Sequence, residues 1–128
     1  MNLTTFLANK LVDHTLRKTA WTSPTNVYVG LHTANPTKAG NVGELTTAQM
    51  PGYARKALTL GAPTNGTGAS TADLNWDITA SATITHATIW DAATGGNPLF
   101  QGPLGESKTV ANGDILRIPS GSLSVGFD

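Results

Sequence analysis

The side chains able to do chemistry in this sequence are few and scattered. His14, His32 and His86 are its three histidines, and none stands at a spacing such as H-E-x-x-H that would aim two imidazoles at one metal ion. An isolated imidazole in a helix or strand ordinarily hydrogen-bonds to its neighbours, and that is the role expected of all three. Ser120 lies in Pro119-Ser-Gly-Ser122, a turn sequence, and not in the G-x-S-x-G elbow that presents a nucleophile. Asp73 and Asp77 bracket Trp76, and Asp91 follows Trp90, but the alternating oxygen ligands around a glycine that a calcium loop requires are not there. Gly66-Thr-Gly-Ala-Ser70 lacks the lysine of a phosphate loop, and Gly95-Gly96 reads as backbone geometry at a turn. Cysteine is absent, which removes disulfides, thiolate metal sites and thiol nucleophiles together. The expectation is a protein that is not an enzyme, with no metal, no cofactor and no small-molecule substrate.

Charge narrows the partners further. Eight basic and eight acidic residues cancel, and charged residues make up 12% of the chain, so no basic stripe exists to release counterions from a nucleic acid. Trp21, Trp76 and Trp90 are spread apart and not interleaved with cations, unlike a base-stacking platform. Core packing is the expectation for Trp76 and Trp90, with a sugar-stacking platform as the alternative. No apolar run approaches the roughly 20 residues of a membrane span. The start, Met1-Asn-Leu-Thr-Thr-Phe, lacks the basic-then-apolar order of a secretory leader. Without such a leader the sequons Asn2-Leu-Thr and Asn65-Gly-Thr carry little meaning. Neither nucleic acid nor membrane is an expected partner, and export by the ordinary secretory route is not expected.

The elements that would position these residues follow from periodicity. Leu3, Phe6, Leu7 and Leu11, with Val12 at the margin of the face, recur mostly at spacings of three and four, which predicts an amphipathic helix from Leu3 to Lys18 with Asn2 as N-cap. From Asn26 the period becomes two. Val27–His32, Tyr53–Leu60, Leu74–Ile78 and Ala82–Trp90 read as strands. His86–Asp91 and Pro98–Leu104 form a hairpin around Ala92-Ala-Thr-Gly-Gly-Asn97, and Asn112-Gly113 predicts a second hairpin between Lys108–Val110 and Ile115–Ile118. Pro119–Ser122 then reverses the chain into Leu123, Val125 and Phe127. Thr33–Thr47 and Gly61–Ser70 read as loops. Ile89 and Trp90 leave opposite faces of one strand, so burial of both would require cover on each side, by the helix or by a partner.

Short strands separated by turn clusters predict a mainly β protein. The expected architecture is an antiparallel, jelly-roll-like β-sandwich preceded by one N-terminal amphipathic α-helix. At 128 residues the chain fits one domain, 1–128, with the helix over 1–18 and the sandwich over 26–128. Such a chain buries about two-thirds of its unfolded surface, enough for one core.

Several blocks in fixed order resemble a family of small virion proteins from tailed bacteriophages, labelled minor capsid, head decoration or tail fibre proteins. They are Val27-Tyr-Val-Gly-Leu-His-Thr-Ala-Asn-Pro36, Gly52-Tyr-Ala-Arg-Lys-Ala-Leu-Thr-Leu-Gly-Ala-Pro63, His86-Ala-Thr-Ile-Trp-Asp91 with the turn to Asn97, Gly102-Pro-Leu104, and Gly113-Asp-Ile-Leu-Arg-Ile-Pro-Ser-Gly121. The resemblance covers nearly everything after Thr19 and brings no catalytic residue with it. It implies a structural protein of the virion. With no repetitive shaft in the sequence, the preferred expectation is a minor capsid or decoration protein on the head surface, bound to the major capsid protein and to copies of itself and stabilising the shell. A tail fibre or tail-tip protein is the alternative, followed by a non-viral carbohydrate- or protein-binding β-sandwich module. Candidate subunit contacts are Phe6, Leu7 and Leu11 on the helix, and Asn35 and Pro36 in the following loop.

Overall fold

The period-two stretches close into ladders because each sets apolar side chains on one face and leaves the pairing edges free. The computed structural model describes residues 1–126. In chain order it holds β1 (Asn2–Leu3), α1 (Thr5–Leu16), β2 (Val27–His32), β3 (Lys56–Leu58), β4 (Thr67–Ala69), β5 (Leu74–Asp77), β6 (Ala82–Trp90), β7 (Pro98–Val110), β8 (Ile115–Ile118) and β9 (Ser124–Gly126). A five-stranded antiparallel sheet runs β1-β7-β6-β2-β3, and two-stranded ladders β5–β8 and β4–β9 stand apart from it. The protein is mainly β with an N-terminal helix, and its layered packing is that of a β-sandwich.

The core lies between these layers. Val29 and Leu31 of β2 and Ala87 and Ile89 of β6 meet Leu74 and Trp76 of β5 and Leu116 of β8. Val29 pairs with Ile89 and Leu31 with Ala87, so all four project from the same side of the sheet. A register shift between Ile84 and His86 resets the alternation, and Ile84 also enters the core. Trp76 is buried within it, its indole N–H donating to the Ala54 carbonyl at 2.9 Å. Ile89 and Trp90 are both buried, at 3% and 5% exposure. The cover over Trp90 comes from Glu44 and Arg55, brought over the sheet by residues 33–55, and not from the helix or a partner.

Several elements differ from their expected form. The helix is Thr5–Leu16, shorter than Leu3–Lys18, and Thr4, not Asn2, caps it. Asn2 and Leu3 pair instead with Gln101 and Phe100 at the sheet edge. At the other end Lys18 takes the left-handed conformation (φ 60°), which stops the helix. The Tyr53–Leu60 strand shrinks to Lys56–Leu58 because Tyr53 and Arg55 leave the ladder to bond Glu44. The Gly61–Ser70 loop contains β4, entered by a tight turn in which Thr64 and Thr67 exchange backbone hydrogen bonds with Asn65 and Gly66 at positive φ.

The Asn112-Gly113 turn forms, with Asp114 N–H donating to the Ala111 carbonyl at 3.0 Å, but it does not make a hairpin. β7 stays paired to β6 and β8 to β5, so this turn carries the chain from one layer to the other. The β6–β7 hairpin is as expected, its loop held by Asn97 N–H donating to Asp91 Oδ1 at 2.7 Å. The Pro119–Ser122 turn leads into β9, which takes in Val125; Phe127 lies outside the described residues.

Candidate functional site

Two neighbourhoods hold the side chains singled out above, and they differ in kind. The first is a polar cluster on the outer face of the five-stranded sheet. On this face β2 and β6 present Tyr28, Gly30 and His32 opposite Trp90, Thr88 and His86. His32 is fully buried, and its Nδ1 lies 2.7 Å from the Val42 carbonyl oxygen. A carbonyl only accepts, so Nδ1 carries the proton and Nε2 is left to accept. Thr88 Oγ1 is 2.8 Å from Nε2 and accepts in turn from the Trp90 indole N–H at 2.6 Å. The hydrogen bonds therefore run one way, from Trp90 through Thr88 and His32 to the loop at Val42. Burial pushes the imidazole below its ordinary value and favours the neutral form this relay needs.

Beside the relay, Glu44 receives three hydrogen bonds at 2.8 Å: Arg55 Nε and the Tyr53 hydroxyl to Oε2, and Arg55 Nη2 to Oε1. Burial alone would raise this carboxyl. The hydrogen bonds from Arg55 and Tyr53, with the Arg55 charge, outweigh it and hold the group below the usual carboxylate value. Tyr53 accepts from Leu31 N–H at 2.9 Å, and burial with the neighbouring carboxylate drives its hydroxyl well above the ordinary phenol value. Arg55 stacks on Trp90 with its guanidinium carbon 3.6 Å from the ring centroid, and donates to the carbonyls of Ala92 and Gly95. One arginine thus ties the 33–47 loop to β6 and to the β6–β7 loop, while the Tyr53 hydroxyl reaches β2. Among the described residues no buried side-chain nitrogen or oxygen lacks a hydrogen-bond partner, and the contacts of this cluster hold the surrounding loops in place.

The second neighbourhood is apolar. A cleft of about 500 Å³ opens between α1, the 60–68 segment and the start of β7, lined by Leu7, Leu11, Trp21, Leu60, Leu99 and Phe100 among others. The cap anchors the helix there: Thr4 N–H and Oγ1 donate to the Leu99 carbonyl, Oγ1 also lies 2.7 Å from the Pro98 carbonyl, and the same oxygen accepts from Leu7 N–H. Leu7 is 4% exposed, so its contacts lie within the subunit, and Leu11 is half-buried at the cleft. Phe6 packs edge-on against Trp21, ring centroids 6.5 Å apart. Asn35 is exposed, its Oδ1 accepting from Thr37 N–H at 2.9 Å, while Pro36 beside it is buried.

The remaining candidates form no cluster of their own, although His86 pairs with His32 across the β2–β6 ladder. His14 Nδ1 accepts from Trp21 N–H, and His86 Nδ1 lies 2.8 Å from Thr85 Oγ1. Asp73 accepts from Ser120 N–H, which makes Ser120 part of a turn clamp. Among the described residues no group of His, Asp and Glu is placed to hold a metal ion, and no helix is long and apolar enough to cross a membrane. Sequence reasoning missed the Glu44–Arg55–Tyr53 cluster. The signal available was a cation and a phenol inside an otherwise apolar strand pattern, with no statement of which carboxylate they would meet.

A family model described as "Podophage GP4 fiber I protein gp80" matches residues 2–126. No curated protein matches the chain.

Proposed function

The chain belongs to that family of phage fibre proteins, and from this premise we propose that it is a fibre component of the virion of a tailed phage. It is a structural protein of a bacteriophage and its place is the virion. The reading of it as part of a fibre is carried by the family's description, which extends over residues 2–126 and so takes in helix and sheets alike. The structure supports a holding role through what it invests in shape. Glu44, Tyr53 and Arg55 fix the loops around one end of the sheet, and the helix presents an apolar cleft at another place on the surface. In this proposal the rigid body displays surfaces to neighbouring virion proteins, and no step of chemistry is asked of it.

A second reading has an observation of its own. The described residues form short ladders around one core with no extended shaft, which suits a decoration protein lying on the head and touching the major capsid protein. Electron microscopy of virions labelled with an antibody to this chain separates the two. Label on the tail or its fibres supports the fibre reading, whereas label distributed over the head would replace it with decoration.

A further inference from the structure

Charge is balanced over the whole chain but not along it. Residues 1–38 carry four Lys and Arg against Asp13, and the remainder carries four against seven acidic residues, formal charges of +3 and −3. Each part of the chain also holds an exposed apolar side chain with charged residues beside it in sequence or register. On α1, Val12 and Leu16 form a stripe one turn apart, 48% and 75% exposed. Arg17 and Lys18 follow directly; Arg17 pairs with Asp13 at 2.8 Å, and Lys18 stands at the turn that ends the helix.

The complementary patch lies on the β5–β8 ladder. Ile115 is 62% exposed and sits directly opposite Asp77, with Asp114 next to it in the chain. Arg117 shares this outer face, but its Nε is bonded to Asn75 Oδ1 at 3.0 Å. The helix packs against the start of β7, and Ile115 follows the turn after its end. Leu16 and Ile115 both stand exposed, so neither covers the other within one copy.

We propose that copies of this chain associate head to tail, the Val12–Leu16 stripe of one copy seating on the Ile115–Asp77 patch of the next. Leu16 and Ile115 bury against each other while Arg17 and Lys18 face Asp77 and Asp114. A second copy is the occupant because this chain already carries both halves, matched in apolar character and opposite in charge. The zero net charge leaves no long-range repulsion to keep copies apart. Such an interface is heterologous, so each copy has one half free, and the contact builds rings or open filaments instead of stopping at a pair. A few side chains bury far less than the roughly 800 Å² per partner of a standard interface, so the contact is weak between single copies. The inference concerns the purified chain and stands whether the protein sits on head or tail.

Sedimentation velocity of the whole chain tests it, from micromolar to near-millimolar concentration. The wild type is expected to grow beyond dimer as concentration rises, and to revert towards monomer between 50 and 500 mM salt. Leu16→Asp and Ile115→Asp are each expected to remain monomeric, with circular dichroism unchanged. Mixed in equal amounts they are expected to form a 1:1 dimer and no larger species, since one intact half survives on each. Lys18→Glu, a change at an exposed turn, provides a second variant and is expected to weaken growth at low salt. A wild type that stays monomeric throughout overturns the proposal. So does association that survives both substitutions, or that is lost with Leu16→Asp while Ile115→Asp behaves as wild type.

Discussion

At the scale of single residues, His32 shows how little of a buried histidine's role lies in its own chemistry. The Trp90–Thr88–His32–Val42 relay uses the imidazole as a donor at one nitrogen and an acceptor at the other, which only the neutral ring provides. Protonation would turn Nε2 into a donor and leave the Thr88 hydroxyl hydrogen without its acceptor. Because burial lowers the folded value below the ordinary 6.5, the unfolded chain binds more protons than the folded one once pH falls below that point. The contribution of His32 to stability is therefore complete above about pH 6.5 and is lost as pH falls beneath it. Glu44, also lowered, keeps its contribution above the ordinary carboxylate value of 4.5, so the two losses separate. Urea midpoints should fall between pH 7.5 and 5.5 in the wild type and fall less in His32→Gln. An equal slope in both would remove His32 as the origin. Gly30 tests the same cluster sterically. A Cβ there would stand 2.7 Å from Glu44 Oε2 and 3.1 Å from both Thr88 Oγ1 and Trp90 Nε1, so Gly30→Ala should cost about 1–3 kcal/mol in chemical denaturation.

At the scale of elements, what was legible in the sequence was local, and what was hidden was pairing. Alternation placed β2, β5 and β6 because each sets apolar side chains on its core face, although residues 33–55 bury the other face of β2 and β6 as well, and turn residues placed the β6–β7 hairpin. The same alternation could not say that β8 would leave β7 for β5, since a tight turn joins neighbours in the chain whichever ladder they enter. The helix start shows a tertiary contact overriding a local preference. Asn2 is as good a cap as Thr4, but Asn2 is drawn into the edge of the sheet, and Thr4 reaches the Pro98 and Leu99 carbonyls. Thr4→Val should therefore cost about 1–2 kcal/mol, more than an exposed cap, because it also strips the hydroxyl donor from the buried Pro98 carbonyl, while Leu99 keeps the Thr4 N–H. The Glu44–Arg55 pair is the other place where distant elements depend on one contact. Arg55→Met leaves a partly buried carboxylate with only the Tyr53 hydroxyl as partner and should cost about 1–3 kcal/mol, with Glu44→Gln in the same chain recovering part of it. Additive losses in that double variant would mean the two side chains are not coupled.

At the scale of the whole molecule, the two virion placements ask different things of the same body. A decoration protein acts by summing many small burial energies over a shell, so its loss shows as a weaker container. A fibre component acts at the contact with a cell, so its loss shows as failed adsorption while the container is intact. Either placement can use the same two features: the Arg55 tie stiffens the loops on one face, and the cleft by α1 is lined by five separate segments that a neighbour could fill. Virions made without this chain should, on the fibre reading, hold their genome through heating and osmotic shock as well as the wild type but adsorb to host cells at least tenfold less. Supplying the protein from a plasmid during infection should restore adsorption, and the Arg55→Met form should restore it less well in proportion to its lost stability. Genome release at lower temperature with normal adsorption would instead assign the protein to the head surface, where the α1 cleft would be the first place to look for the capsid contact.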